Sequence, residues 1–324
     1  MGRGIYVVNA LTGELIWSAG RTGSGATKIV DGMDYAIPSD LTIIKNESGG
    51  NTNRAYVGDT GGNVWRIDFA RNTGSATVNN LDNTTVTKLA SVGGSGYAKR
   101  KFLFAPDVVG QTTYDAVLMG SGDREHPFDS SVTNRMYMFK DFGNDNGPVT
   151  GATVADPTIL ESAMFDATSN CIQDSTACSV GVTSAQASAS LSTNRTGWYV
   201  TLSTGEKVVG TAVSIAGTTF FNTNQPSASA GGGTCGSNLG VAKQYQVGTT
   251  DATATNDLNA SGGLTGADRS FIHPGGGYLP SPVHVVVQLD GRPVEAVISG
   301  IQVTTPAGAT LNSRLRRYWY REVE

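Results

Sequence analysis

Three stretches of this chain share one local grammar, and that grammar narrows the folds open to it. IYVVNALTGELIW (Ile5–Trp17), AYVGDTGGNVWRID (Ala55–Asp68) and WYVTLSTGEKVV (Trp198–Val209) each run an aromatic-Val strand into a short Gly-containing turn and out through a second strand. A hairpin that recurs with one kind of turn builds small antiparallel sheets. Arranged as blades around an axis, such sheets bury their faces against each other without long exposed edges. A β-sandwich also uses hairpins, but it does not explain the recurring turn.

Short β-branched or aromatic runs bounded by Gly, Asn, Asp and Pro predict about 17 strands, which at four per blade make roughly four to five blades. They include Asn63–Asp68, Phe102–Phe104, Ala116–Met119, Val213–Ile215, Val283–Leu289 and Leu315–Tyr320. No helix of three or more turns is predicted, and only Ala152–Phe165 is allowed a turn or two. Asn72–Thr85, Thr168–Thr196, Gln225–Gly236 and Gly248–Gly277 are rich in small polar residues and read as partly mobile surface loops. The expected fold is all-β: a modified, partial β-propeller with long polar loop insertions.

Composition supports this. Charged residues are 15% of the chain, against about 25% in an ordinary domain. Glycine fills 42 of 324 positions, which suits tight turns and not helical bundles. A net charge of −4 gives no basic field for a phosphate backbone, so nucleic acid is excluded as a main partner. No apolar run approaches the roughly 18 residues of a membrane span, and MGRGIYVVNALTG has no export-signal pattern. Cys171 and Cys178, seven apart in a polar loop, have a spacing that can close a small disulfide, and Cys235 is left over.

Longer segments carry a family likeness. IYVVNALTGELIW, AYVGDTGGNVWRIDF, KFLFAPDVV, GSGDREHPFDSSVTNRMYMFKD, GWYVTLSTGEKVVGTAVSIAGTTFFNTNQP and SRLRRYWYREV follow in the order and spacing of one family. The chain resembles the C-terminal β-propeller of the PilC/PilY proteins of type IV pili. The resemblance implies a non-enzymatic module that supports pilus assembly by opposing retraction and contributes to twitching motility and adhesion. It implies minor pilins as partners, with a host-cell or surface ligand, and an exported location at the pilus tip, cell surface or outer membrane. It also implies that residues 1–324 correspond to the C-terminal part of the propeller, without the family's N-terminal region.

The family tends to carry an EF-hand-like calcium loop just before the AYVGD strand. Here that loop is Lys45–Asn53, where Glu47 and Asn53 offer side-chain oxygens and Asn51 a backbone carbonyl. Lys45 places an ammonium where the first carboxylate belongs, so the loop is degenerate and the expected cofactor is none or weakly bound calcium.

Catalytic residue types cluster once, at Asp123, Arg124, Glu125 and His126, but consecutive residues on a turn diverge, so the expectation is that they pair or meet solvent. His273 and His284 read as satisfied structural histidines. Asp59 and Asp68 suit a turn and a strand end better than a glycosidase pair, and Trp17, Trp65, Trp198 and Trp319 suit packing between blades. Two rival functions stay open: a quinone-dependent dehydrogenase propeller, whose repeat YVVNALTGELIW resembles but whose adjacent cysteines are missing, and a glycan-binding lectin propeller.

Overall fold

A computed structural model describes residues 2–45, 52–69, 81, 83–96, 99–143, 158–227, 239–289 and 292–306. Its strands form five sheets that follow one another along the chain. The first holds β1 (Gly4–Val8), β2 (Leu15–Gly20) and β3 (Lys28–Ile29). The second is built on β4 (Thr42–Lys45), β5 (Thr52–Gly58), β6 (Asn63–Asp68) and β7 (Thr85–Ser91), and the third on β8 (Asp107–Gly110), β9 (Asp115–Gly120) and β10 (Arg135–Asp141). A short strap then joins these two: β11 (Ile159–Leu160) pairs in parallel with β7, and β12 (Phe165–Asp166) pairs in parallel with β13 (Gly197–Thr201), which itself lies beside β10.

The fourth sheet contains β14 (Lys207–Val208), β15 (Val213–Ile215), β16 (Thr218–Gln225), β17 (Val241–Gly248) and β18 (Ser270–His273). The fifth contains β19 (Val283–Leu289), β20 (Arg292–Ser299) and β21 (Gln302–Thr304). Each sheet is mostly antiparallel and none is closed.

Side-chain alternation explains why the sheets stack. Successive residues of a strand point to opposite faces, so a strand buried on both sides reads as an unbroken apolar run. On β5, Ala55 and Val57 meet Ile5 and Trp17 of the first sheet, whereas Tyr56 belongs to the core shared with Val117, Tyr137 and Phe139 of the third. On β9, Ala116 and Leu118 turn the other way and pack with Trp198, Val208 and Phe221 at the joint with the fourth sheet. Trp17, Trp65 and Trp198 are fully buried at these joints. Trp319 lies outside the described residues.

Four expectations need correction. Thr183 and Gln186 form a capping box that starts a helix, α1 (Ser184–Thr193), inside a segment read as mobile loop. The Gly248–Gly277 segment is likewise folded: it carries a 3-10 turn at Gly266–Arg269, with Asp268 and Arg269 buried, and then β18. Phe102–Phe104 is not a strand. Phe102 plugs the joint between the second and third sheets, and its amide donates to the Asp59 carbonyl at 3.1 Å. His273 is buried, but among the described residues neither ring nitrogen has a hydrogen-bond partner, whereas His284 is exposed. Leu315–Tyr320 lies outside the described residues.

Candidate functional site

The insertion between β12 and β13 and the loop after β17 together build a platform across the third and fourth sheets. Cys171 and Cys178 are joined by a disulfide. Asp174 caps the 3-10 turn between them by accepting from the Thr176 amide at 2.9 Å. Asn170 takes φ 61°, a left-handed conformation that asparagine tolerates better than most side chains. α1 buries only Ala187 and Leu191, too little apolar surface to hold it alone. Its C-terminal carbonyls are taken by Lys140 from β10, whose Nζ donates to Leu191 O at 3.1 Å and Asn194 O at 2.6 Å. A cation there also complements the helix dipole. Burial pulls the Lys140 ammonium below its ordinary value.

Two contacts lock the insertion to the second loop. Gln173 Nε2 donates to Ala254 O and its Oε1 accepts from Ala254 N, both at 3.0 Å. The Arg269 guanidinium donates to the carbonyls of Ala167, at 2.8 Å, and Thr168. With carbonyl acceptors and little exposure, Arg269 is held below its ordinary pKa by burial. Asp268 ties the loop to itself by accepting from the amides of Leu258, Asn259 and Thr265 and from the Thr265 hydroxyl. Burial opposes its ionisation, but these donors hold it below the usual carboxylate range. Val180, Val182 and Leu264 are exposed on this otherwise polar surface. A rigid, mainly polar loop surface with a few exposed apolar residues suits recognition.

The cluster at Asp123 is separate. Lys101 Nζ lies 2.6 Å from Asp123 and 3.5 Å from Glu125, and His126 Nδ1 lies 2.9 Å from Asp123. Glu125 is 69% exposed in its side chain. Ligand atoms of Asp123, Glu125 and His126 lie within 4.8 Å of one another, yet Lys101 already neutralises the central carboxylate.

Asp59 and Asp68 are not a pair. Asp59 is fully buried in the β5–β6 turn, where it accepts from the Gly61 and Asn63 amides and from the Trp65 indole. Asp68 closes the far end of that hairpin, at 2.7 Å from Arg54 and 2.8 Å from Arg66. Arg54 also meets Asp115 and Arg66 meets Asp141, which bolts the second sheet to the third. The strap adds a matching lock: Glu161 accepts from Tyr137 at 2.7 Å and pairs with Arg100 at 2.9 Å and with Arg135.

Of the expected calcium loop, Glu47 and Asn51 lie outside the described residues, and Asn53 is described only as backbone of β5. Cys235 lies outside them too. Sequence reading missed Lys140, Asp268 and Arg269. The signals available were Thr183-x-x-Gln186 and Thr265-x-x-Asp268, both of the capping-box form. For the two buried cations no local signal exists, because their acceptors are backbone carbonyls far along the chain.

The fold is similar to the C-terminal domain of PilY1 from Pseudomonas aeruginosa, known from its crystal structure. The TM-score is 0.63 at 15% identity, over 95% of this chain and 66% of that one. The chain thus matches just under two thirds of that neighbour's length. No protein-family model matches the chain, and no curated protein matches it in sequence.

Proposed function

We propose that the chain is a non-enzymatic module of a type IV pilus-associated protein, its sheets acting as blades of a partial propeller that hold a recognition platform. The observation that carries the reading is the fold likeness to the PilY1 C-terminal domain over nearly the whole chain. The platform supports it: buried Lys140, Asp268 and Arg269 fix loop backbone in place, which is the use expected of a presenting surface. In this reading the protein is exported, stands at the pilus tip or cell surface, and contacts minor pilins and a surface ligand. It supports pilus assembly against retraction, twitching and adhesion, with calcium bound weakly or not at all. Among the described residues no helix is long and apolar enough to cross a membrane.

Deleting the gene tests this. Surface pili, counted by electron microscopy, should fall and twitching zones should shrink. Removing the retraction motor as well should restore the pili. Normal piliation and twitching in the deletion strain would overturn the reading.

A further inference from the structure

The outer face of the first sheet carries a pocket that neither the fold nor the platform requires. It lies beside the Gly4–Gly20 pair of β1 and β2. Side chains close over the space these glycines leave open. A Cβ at Gly4 would lie 3.3 Å from the Tyr6 hydroxyl and 3.4 Å from its ring, and one at Gly20 only 2.7 Å from Ser24 Oγ. Tyr6, 66% exposed, and Ser24 form walls of a cavity of about 430 Å³, and Arg3 and Arg21 complete its lining. That volume lies in the range of small-ligand pockets.

The two arginines carry the argument. They stand one position beyond the Gly4–Gly20 pair, so the register sets them opposite each other across the strands. Like charges facing each other across a sheet are destabilising. Arg54, Arg66, Arg100 and Arg135 each meet a carboxylate. Arg3 and Arg21 have no ion-pair or hydrogen-bond partner for their guanidinium groups among the described residues. Asp31, just past β3, accepts instead from the Thr22 hydroxyl. Two unpaired guanidinium forks beside an exposed aromatic ring and a hydroxyl form a recognition set: the forks match a carboxylate, the ring stacks on a sugar face, and the hydroxyl exchanges hydrogen bonds with a polyol.

We propose that this pocket binds a saccharide residue bearing a carboxylate, with the carboxylate between Arg3 and Arg21 and the ring against Tyr6. The inference does not rest on the pilus reading and fails separately from it. The test is calorimetric titration of the full chain with glucuronate, glucose and inorganic phosphate. Glucuronate should saturate, with glucose and phosphate each at least about tenfold weaker. Arg3→Ala with Arg21→Ala should weaken glucuronate by at least about tenfold, with the melting temperature unchanged or raised, because both side chains are exposed and their mutual repulsion is removed. Gly20→Ala, which crowds Ser24, should weaken it as well. Absent saturation by glucuronate, equal binding of glucose or phosphate, or an unaffected double variant would each overturn the proposal.

Discussion

The joint between the third and fourth sheets and the joint between the fourth and fifth are made from opposite faces of the same two strands. On one face of β16 and β17, Phe221 stacks on Tyr245 with ring centroids 4.6 Å apart, in the apolar core with Trp198 and Leu118. On the other face, Asn222 and Gln244 sit side by side in register, and both are fully buried. Asn222 Nδ2 reaches across to Pro280 O at 2.6 Å and Ser299 Oγ at 2.7 Å. Among the described residues, Asn222 Oδ1, both amide atoms of Gln244 and both ring nitrogens of nearby His273 have no hydrogen-bond partner. A buried polar atom left unpaired costs about 1–3 kcal/mol, which makes this joint the weaker of the two. One sheet can thus be held firmly on one side and loosely on the other.

The largest expected effect breaks the firm side. Trp198→Ala should destabilise the chain by about 3–5 kcal/mol in denaturant unfolding. Gln244→Leu, a nearly isosteric swap at the polar joint, should leave stability within about 1 kcal/mol or raise it, because it removes orphaned groups. Equal losses from the two would erase the distinction. Next comes the platform that spans the firm joint. Replacing Cys171 and Cys178 by serine should cost about 2–3 kcal/mol for so short a loop, read as an unfolding midpoint below that of the oxidised parent and close to that of the reduced one.

Hydrogen exchange sharpens the comparison without mutation. Amides of β19 and β20 should exchange about tenfold or more faster than those of β9 and β10, and Gln244→Leu should slow the fifth sheet selectively. The smallest effect concerns a pair outside the polar joint. Burial disfavours the Asp123 anion, but Lys101 and His126 more than compensate and hold its pKa below the ordinary value. A carboxylate lowered in the fold stabilises above its unfolded pKa and loses that contribution as pH falls through the folded value. Stability should therefore drop slightly below about pH 4, by less than about 1 kcal/mol for so solvated a pair. Lys101→Met should flatten that part of the pH profile.

Much of this architecture is legible in the sequence, for identifiable reasons. Strands such as Asn63–Asp68 and Val283–Leu289 are found at their observed limits because their β-branched runs are bounded by Gly, Pro or Asp. β3, β11 and β12 are two residues each, defined by a neighbouring edge and not by their own composition. α1 is built from Ser, Ala, Gln, Thr and one Leu, so only its cap announces it. The polar joint is hidden for a deeper reason. Asn222 and Asn224 alternate with Phe221 and Thr223, and Gln244 and Gln246 with Tyr245, the pattern of a sheet with one wet face. Here that second face is covered by another sheet. The pocket beside Gly4 and Gly20 is equally silent, since Arg3 and Arg21 come together only through strand register.

The strap at Ile159–Asp166 has a consequence for how the protein is made. The second sheet receives its fifth strand, and the third its last two, from chain that follows both of them. A ribosome delivers β7 and β10 well before those partners exist, so the second sheet waits with a bare edge until residue 160 has emerged and the third until residue 201. Both are completed late, and a product cut short before the strap would leave the centre of the molecule unfinished, not merely its end.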